Sequence, residues 1–217
     1  MLDEVAMQLA MRAKALTLSV ATTGVVSLSA TATGYARVAG SFQADGFWPG
    51  MEIQPTGFGT NTPRVVTSVL PLAITVSGSV PVEAAAGGRS LTVGLPSQRA
   101  WENIAFQPTA GVPWVQEQFL PGPTAQVTLG PFGELEATPM YALYVNLPAE
   151  TGLTVKRYVN ALRVLFAPRT AITLANGDVL RVRADTGPYS GQLQQGQPGF
   201  ATQPLTIPFR LRTANSI

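Results

Sequence analysis

Short runs of alternating apolar and polar residues, separated by turn signals, fill the sequence from Thr17 to Leu95. The clearest runs are GVVSLSATATG, GMEIQPTG, PRVVTSVL, LAITVSG and RSLTVGL. A strand that is buried on one face repeats every two residues, and closely spaced strands joined by glycine and proline turns favour a small barrel or a sandwich. The pattern therefore predicts an all-β unit over residues 17–95.

A helix is predicted before this unit, over residues 2–16. Its apolar residues recur at spacings of three and four, which predicts one packing stripe made of Leu2, Val5, Ala6, Leu9, Ala13 and Leu16. Acids lie in the first turn and bases in the last, which suits the helix dipole. Because so short a helix is marginal alone, it must pack on another part of the chain.

The residues after Pro96 predict a different pattern. Strands are expected at Trp114–Leu120, Ala125–Leu129 and Pro139–Leu147, the last of them central, because both of its faces are apolar. A helix is expected at about Leu153–Phe166, followed by a hairpin turning at Asn176-Gly177 and a closing strand, PLTIPFRLRT. Pro208 in that strand indicates an edge or a bulge.

Together these elements predict an α+β fold, a mostly antiparallel sheet with two helices packed on one face. The sheet domain is predicted to comprise residues 1–16 and 96–217, and residues 17–95 to form an inserted barrel or sandwich. The segment LPSQRAWENIAFQP is then the point where the chain returns to the main domain.

Composition excludes several kinds of chemistry. The chain has no cysteine and no histidine, which removes disulfides, thiol catalysis and the commonest metal ligand. The pair of acids Glu134 and Glu136 in GPFGELEATP is more typical of a solvated loop than of a catalytic pair. We therefore expect no enzymatic activity, no metal and no cofactor. The sequence also predicts no signal peptide and no membrane span.

The charged and aromatic residues suggest contact surfaces instead. Only 12% of residues are charged, about half the usual share, and twelve of the fourteen bases are arginines. Because arginine suits paired and interfacial roles, candidate interface arginines are Arg181, Arg183, Arg210 and Arg212. Large aromatic rings bury much area, so the candidate core or interface anchors are Trp101, Trp114 and Phe209.

Three segments carry a resemblance to a known family: AWENIAFQPTAGVPWVQEQFLPGPTAQVTLG, YALYVNLPAETGLTVKRYVNALRVLFAPRTAI and FATQPLTIPFRLR. They resemble the tail terminator proteins of long-tailed bacteriophages. The shared features are a Trp-x-Asn opening, a PW-hydrophobic strand, a TLG edge, a strand–proline–helix unit and a closing strand containing I-P-F-R. With the first helix, the resemblance covers roughly two-thirds of the chain, and the 17–95 insert departs from the compact form of the family.

The resemblance implies a structural virion protein, assembled in the host cytoplasm and located at the head–tail junction. Such proteins form a ring of about six copies by a contact repeated around a closing rotation. The ring binds the last ring of the tail tube, ends its growth and docks on the head-completion (connector or stopper) protein. Double-stranded DNA passes through the centre without specific binding.

The loop Gly130–Thr138 is a candidate liner of that channel. Glu134 and Glu136 lie there among glycine and proline with no base nearby in sequence, and acids would repel the DNA backbone. Alternatively they are solvated, or pair with an arginine of a neighbouring subunit or of the tube. Two other functions remain open: another virion role, as a tail tube subunit or head–tail adaptor, and glycan binding or adhesion through the β insert.

Overall fold

The computed structural model describes residues 3–102, 104–128 and 133–214. Its two α-helices are α1 (Glu4–Leu16) and α2 (Gly152–Leu165), and a 3-10 turn (Ala149–Thr151) precedes α2. The first group of strands is β1 (Ala21–Thr22), β2 (Val26–Thr31), β3 (Gly34–Arg37), β4 (Glu52–Thr56), β5 (Arg64–Val69), β6 (Ala73–Val76) and β7 (Glu83–Val93). The second group is β8 (Gln98–Ala100), β9 (Trp114–Leu120), β10 (Thr124–Gln126), β11 (Glu134–Ala137), β12 (Met140–Pro148), β13 (Ala171–Thr173), β14 (Val179–Val182), β15 (Tyr189–Ser190), β16 (Gln194–Gln195) and β17 (Phe200–Ala214).

The first group closes into a six-stranded antiparallel barrel. The order is β7-β2-β3-β6-β5-β4, and β4 pairs back onto β7, while β1 extends the sheet beside β7. Alternate residues fill the interior, among them Leu28, Tyr35 and Ile53. Closure removes the exposed strand edges that a sandwich would leave. Of the two predicted architectures for residues 17–95, the barrel is therefore confirmed.

The second group forms a sheet built around β17. Its main path is β10-β11-β17-β12-β9-β8, and β14, β15 and β16 also pair with β17. All of its pairings are antiparallel except that of β8 with β9. The predicted central position of the 139–147 strand is confirmed, since β12 lies between β17 and β9.

Pro208 lies in a central strand, so the prediction of an edge was wrong. The amide of Phe209 donates to Pro139 on the β12 side, which directs the Pro208 nitrogen to the opposite side. There β14 has ended at Val182 and β15 has not begun. The missing N–H of Pro208 therefore falls in a gap of the ladder, where no strand needs it as a donor.

Helix α1 packs by a different face from the one predicted. Asp3 caps its first turn by accepting a hydrogen bond from the amide of Ala6. The buried side chains are Met7, Met11 and Ala15, whereas the stripe expected to pack is exposed, at 65% for Val5, 52% for Leu9 and 44% for Leu16. The predicted stripe was therefore wrong, because this helix carries two apolar stripes and periodicity does not distinguish them.

The fold class was correct only in part. The described chain is largely β, with two helices of 13 and 14 residues, rather than an α+β protein with a sheet covered by helices. Helix α2 contacts β12 and β17, while α1 contacts β13. The strand predicted at 114–120 is confirmed, and the one at 125–129 is β10. Leu2, Asn103, Leu129 and residues 130–132 of the predicted loop lie outside the described residues.

Closure of the barrel depends on close approach of β3 and β6 at Gly34. A Cβ at this position would lie 1.9 Å from the carbonyl oxygen of Ile74. Gly34→Ala should therefore lower the free energy of unfolding by about 3 kcal/mol, as overpacking against a backbone does. Urea unfolding measures this.

Gly87→Ala is the matched control, because a Cβ there meets no atom within 4 Å. Equal stability of the two variants would show that β3 and β6 separate without cost.

Candidate interaction surfaces

A buried carboxylate attaches α1 to the second sheet. Glu117 occupies an inward position of β9, and its side chain has no exposure. It accepts hydrogen bonds from Arg12 and Gln8 on α1, from the Tyr141 hydroxyl (2.9 Å) and from the amide of Glu102 (3.4 Å). A buried charge is tolerated only when paired and hydrogen-bonded, and Glu117 meets both conditions.

The helix geometry explains why α1 supplies both partners. Gln8 and Arg12 are four residues apart, so their side chains project from the same face of the helix. The Arg12 guanidinium carbon also lies 4.6 Å from the ring centroid of Trp101, a cation–π contact. Burial, and then the charge of Glu117, raises the pKa of the Tyr141 phenol well above its usual value. The hydroxyl therefore stays protonated and remains a donor.

The predicted aromatic anchors occupy different environments. Trp114 is only 3% exposed, and its ring contacts Phe106 and Phe200 at centroid distances of 5.3 and 6.1 Å. Phe209 is fully buried and contacts Phe166. Trp101 is half-buried beside Arg12. The structure thus places two of the anchors in the core and Trp101 at its margin.

The four candidate arginines lie together on the outward face of β14 and β17. Leu180, Val182, Phe209 and Leu211 point inward from these strands and are buried. Because side chains alternate, the intervening positions, Arg181, Arg210 and Arg212, face outward with Arg183 just beyond β14. We call these four residues the arginine face. Arg183 pairs with Asp185 at 2.5 Å, which raises the pKa of Arg183 and lowers that of Asp185.

Glu136 belongs to this face, and the fold brings two arginines to it although no base lies near it in sequence. Its Oε2 accepts from Arg212 Nε at 2.9 Å and from Arg210 Nε at 2.7 Å. These bonds, that to Arg212 foremost, lower the pKa of Glu136. The segment Glu134–Ala137 is strand β11, paired with β17, rather than a loop. The Glu134 side chain is exposed and has no ion pair among the described residues.

Polar contacts that the sequence did not predict join the barrel to the second sheet and to α2. Buried Glu52 of β4 accepts from the Ser97 amide at 2.8 Å and from its hydroxyl at 2.5 Å. On α2, the Thr154 hydroxyl donates to the Pro49 carbonyl at 2.9 Å. The Glu52 amide donates to the buried Tyr158 hydroxyl, whose pKa is raised by burial. Beside them, Arg157 stacks 4.2 Å over Trp48.

Sequence reasoning missed Glu117 and Glu52 as structural residues, although one signal was present. In WVQEQFL, Glu117 falls in register with Val115 and Phe119, which are inward positions. An acid at an inward strand position requires a buried partner. Neither helix of the described residues is long and apolar enough to cross a membrane.

Comparison with known proteins gives one family. The family model described as phage tail terminator protein matches residues 82–209, which spans β7 to β16 and most of β17. One solved structure is similar, with 21% identity over 57% of this chain and 83% of its own and a TM-score of 0.44. That likeness is too distant to bear on function. No curated protein matches the sequence.

Glu117 and the groups that donate to it, from Gln8, Arg12, Glu102 and Tyr141, form what we call the Glu117 cluster. Removing the charge of Glu117 should have a large effect on stability. Glu117→Gln leaves the Arg12 guanidinium, which is 20% exposed, without its counterion. We expect the free energy of unfolding to fall by about 3 kcal/mol, as for other broken buried ion pairs. Chemical denaturation followed by tryptophan fluorescence measures this, since Trp101 reports on the same contact.

Glu150→Gln is the control, because Glu150 is exposed and forms no ion pair among the described residues. It should change stability by less than about 0.5 kcal/mol. A similar loss in both variants would show that Glu117 contributes no more than a surface acid.

Proposed function

Since the chain belongs to the phage tail terminator family, we propose that it forms a ring that caps the tail tube and ends its elongation. Membership makes it a structural component of the phage tail. The proposal adds that the other side of the ring joins the tail to the head-completion protein, and that DNA passes through the centre. The observation that carries it is the family match to the second sheet, over residues 82–209.

Features of the surface support a role in assembly. A ring needs two different patches on each subunit, because its contact is heterologous. The exposed stripe of Val5, Leu9 and Leu16 on α1 is available for one contact, and the arginine face is available for a contact of different chemistry. Interfaces are enriched in arginine and in apolar surface. We propose a non-enzymatic role that needs no cofactor, with about six copies to a ring.

We also propose that the barrel is an inserted unit, with residues 1–16 and 96–217 forming the terminator domain. The chain enters and leaves the barrel side by side, since the Val20 amide donates to the Val93 carbonyl at 2.8 Å. An insertion requires such neighbouring ends. The contacts of Glu52 and Thr154 then fix the barrel against the domain that carries it.

The terminator role predicts how the tail behaves without this protein. Tubes made in a phage that lacks it should vary in length and carry no heads, because nothing caps them. The purified protein should appear as rings or monomers by electron microscopy. Long stacks of the purified protein, or tails of uniform length in its absence, would instead indicate a tube subunit or an adaptor.

For the channel, we propose that Glu134 faces the DNA while Glu136 organises a protein contact. Glu134→Lys should leave particle assembly intact but reduce genome delivery, because lysine binds phosphate and slows the duplex. Glu136→Lys should block assembly, because it places a third cation beside Arg210 and Arg212. Particle counts by microscopy and infectious titre separate the two effects.

Each variant serves as the control for the other, since the charge change is the same. Wild-type assembly and delivery for Glu134→Lys would remove Glu134 from the channel. Wild-type assembly of the Glu136→Lys phage would show that Glu136 does not organise a protein contact.

A further inference from the structure

The arginine face surrounds two shallow grooves. The first, of about 560 Å³, is lined by Arg169, Arg181, Arg183 and Arg210 against two acids, Glu136 and Asp185. The second, of about 500 Å³, has Arg181, Arg210 and Arg212 against Asp178. Arg181 and Arg210 form the ridge between the grooves and line both. The cations outnumber the acids in each groove.

The pairing of β14 with β17 makes this excess of positive charge unfavourable for the isolated chain. Arg181 and Arg210 are direct cross-strand partners, and like charges at such positions destabilise a sheet. Glu136 offers one oxygen to both Arg210 and Arg212. Arg181 and Arg169 form no ion pair or side-chain hydrogen bond within residues 3–102, 104–128 and 133–214. Contacts within the described chain therefore do not explain why position 181 carries a positive charge. This charge points to a ligand with negative charge.

We propose that the arginine face is a docking surface for a carboxylate-bearing surface of another protein, with Arg181 as its open binding position. Glu136 supplies the precedent, since a carboxylate already lies between Arg210 and Arg212 with oxygen–nitrogen distances of 2.6–2.9 Å. Arg210 and Arg183 are held by their intrachain pairs. A partner acid therefore meets guanidinium groups that are already ordered, which lowers the entropic cost of binding.

Two observations favour a protein over DNA as the occupant. Among the arginines that line the grooves, only Arg181 and Arg169 lack an acidic partner in the described part of the chain. A duplex would therefore release about two counterions here, far fewer than the roughly 6–10 phosphate contacts of strong DNA binders. The grooves also contain apolar residues, Ala184 in the first and Val179 in the second. Arginine set among apolar residues is typical of protein interfaces.

The test measures binding by the full chain to two labelled probes, a poly-glutamate peptide and a random-sequence DNA duplex, at low ionic strength. Arg181→Gln should weaken poly-glutamate binding about five- to tenfold, as the loss of a charge-assisted contact does. The matched control is Arg163→Gln on α2, an exposed arginine with no ion pair in the described chain. It should change affinity less than about twofold.

Stability provides a second readout. Arg181 has no side-chain hydrogen bond or ion pair to lose among the residues that the structure describes, and its removal relieves the repulsion with Arg210. The melting temperature of Arg181→Gln should therefore be equal to or above that of the parent chain. A lower melting temperature would assign Arg181 to folding and overturn the proposal.

The remaining outcomes decide the occupant. Tighter binding of the duplex than of poly-glutamate, with loss on Arg181→Gln, would overturn the proposal in favour of DNA. Equal losses of poly-glutamate affinity in the Arg181 and Arg163 variants would show that only the net charge of the chain matters. That result would also overturn the proposal. The proposal does not rest on the terminator role: uniform tails in the absence of this protein would refute that role and leave the binding result unaffected.

In the phage, Arg181→Glu should block assembly, and revertants should carry an acid-to-lysine or acid-to-neutral change in a partner protein. Such suppressors would identify the docking partner. Revertants confined to position 181 would overturn the proposal.

Discussion

The pairing of β17 on both of its edges is the constraint on which the second sheet depends. Residues 200–208 pair with β12 on one edge, and β14, β15 and β16 pair along the other. Leu205, Ile207, Phe209 and Leu211 all enter the core from this strand. Because side chains alternate, a shift of one residue would bury Arg210 and Arg212 and expose Phe209. The same register that builds the core therefore fixes the arginine face on the surface.

The barrel is joined to that sheet by buried polar groups rather than by a flexible linker. The Glu52 carboxylate accepts two hydrogen bonds from Ser97, and the Glu52 amide donates to the hydroxyl of the fully buried Tyr158. Separating the units would leave these groups without partners, which costs more than the bonds themselves contribute. One continuous core also runs through both parts. In the proposed ring, each barrel would therefore keep a constant orientation to the subunit that carries it.

The sequence predicted local elements well and their non-local partners poorly. The strand at 114–120 and the turn at Asn176-Gly177 follow from alternation and turn chemistry, and both are present, with Gly177 at φ 87°. The Glu136 pairs with Arg210 and Arg212 join residues 74 and 76 positions apart, a separation that no local pattern encodes. Likewise, α1 offers two apolar stripes, and the one that is buried, with Met7 and Met11, is accompanied by long-range bonds from Gln8 and Arg12 to Glu117. Strand type is a local property, whereas the choice of partner depends on the whole topology.

Two surface features lower the stability of this chain in isolation, and both are suited to contacts with other proteins. Val5 and Leu9 leave an apolar stripe in water, and Arg181 faces Arg210 across the strand pair. A polar residue at the first site and an acid at the second would stabilise the monomer. Natural sequences retain such destabilising choices where function requires them. The two features differ in chemistry, one apolar and one cationic, so they suit two different contacts rather than one repeated patch. The proposed role between a tube and a connector requires contacts of more than one kind.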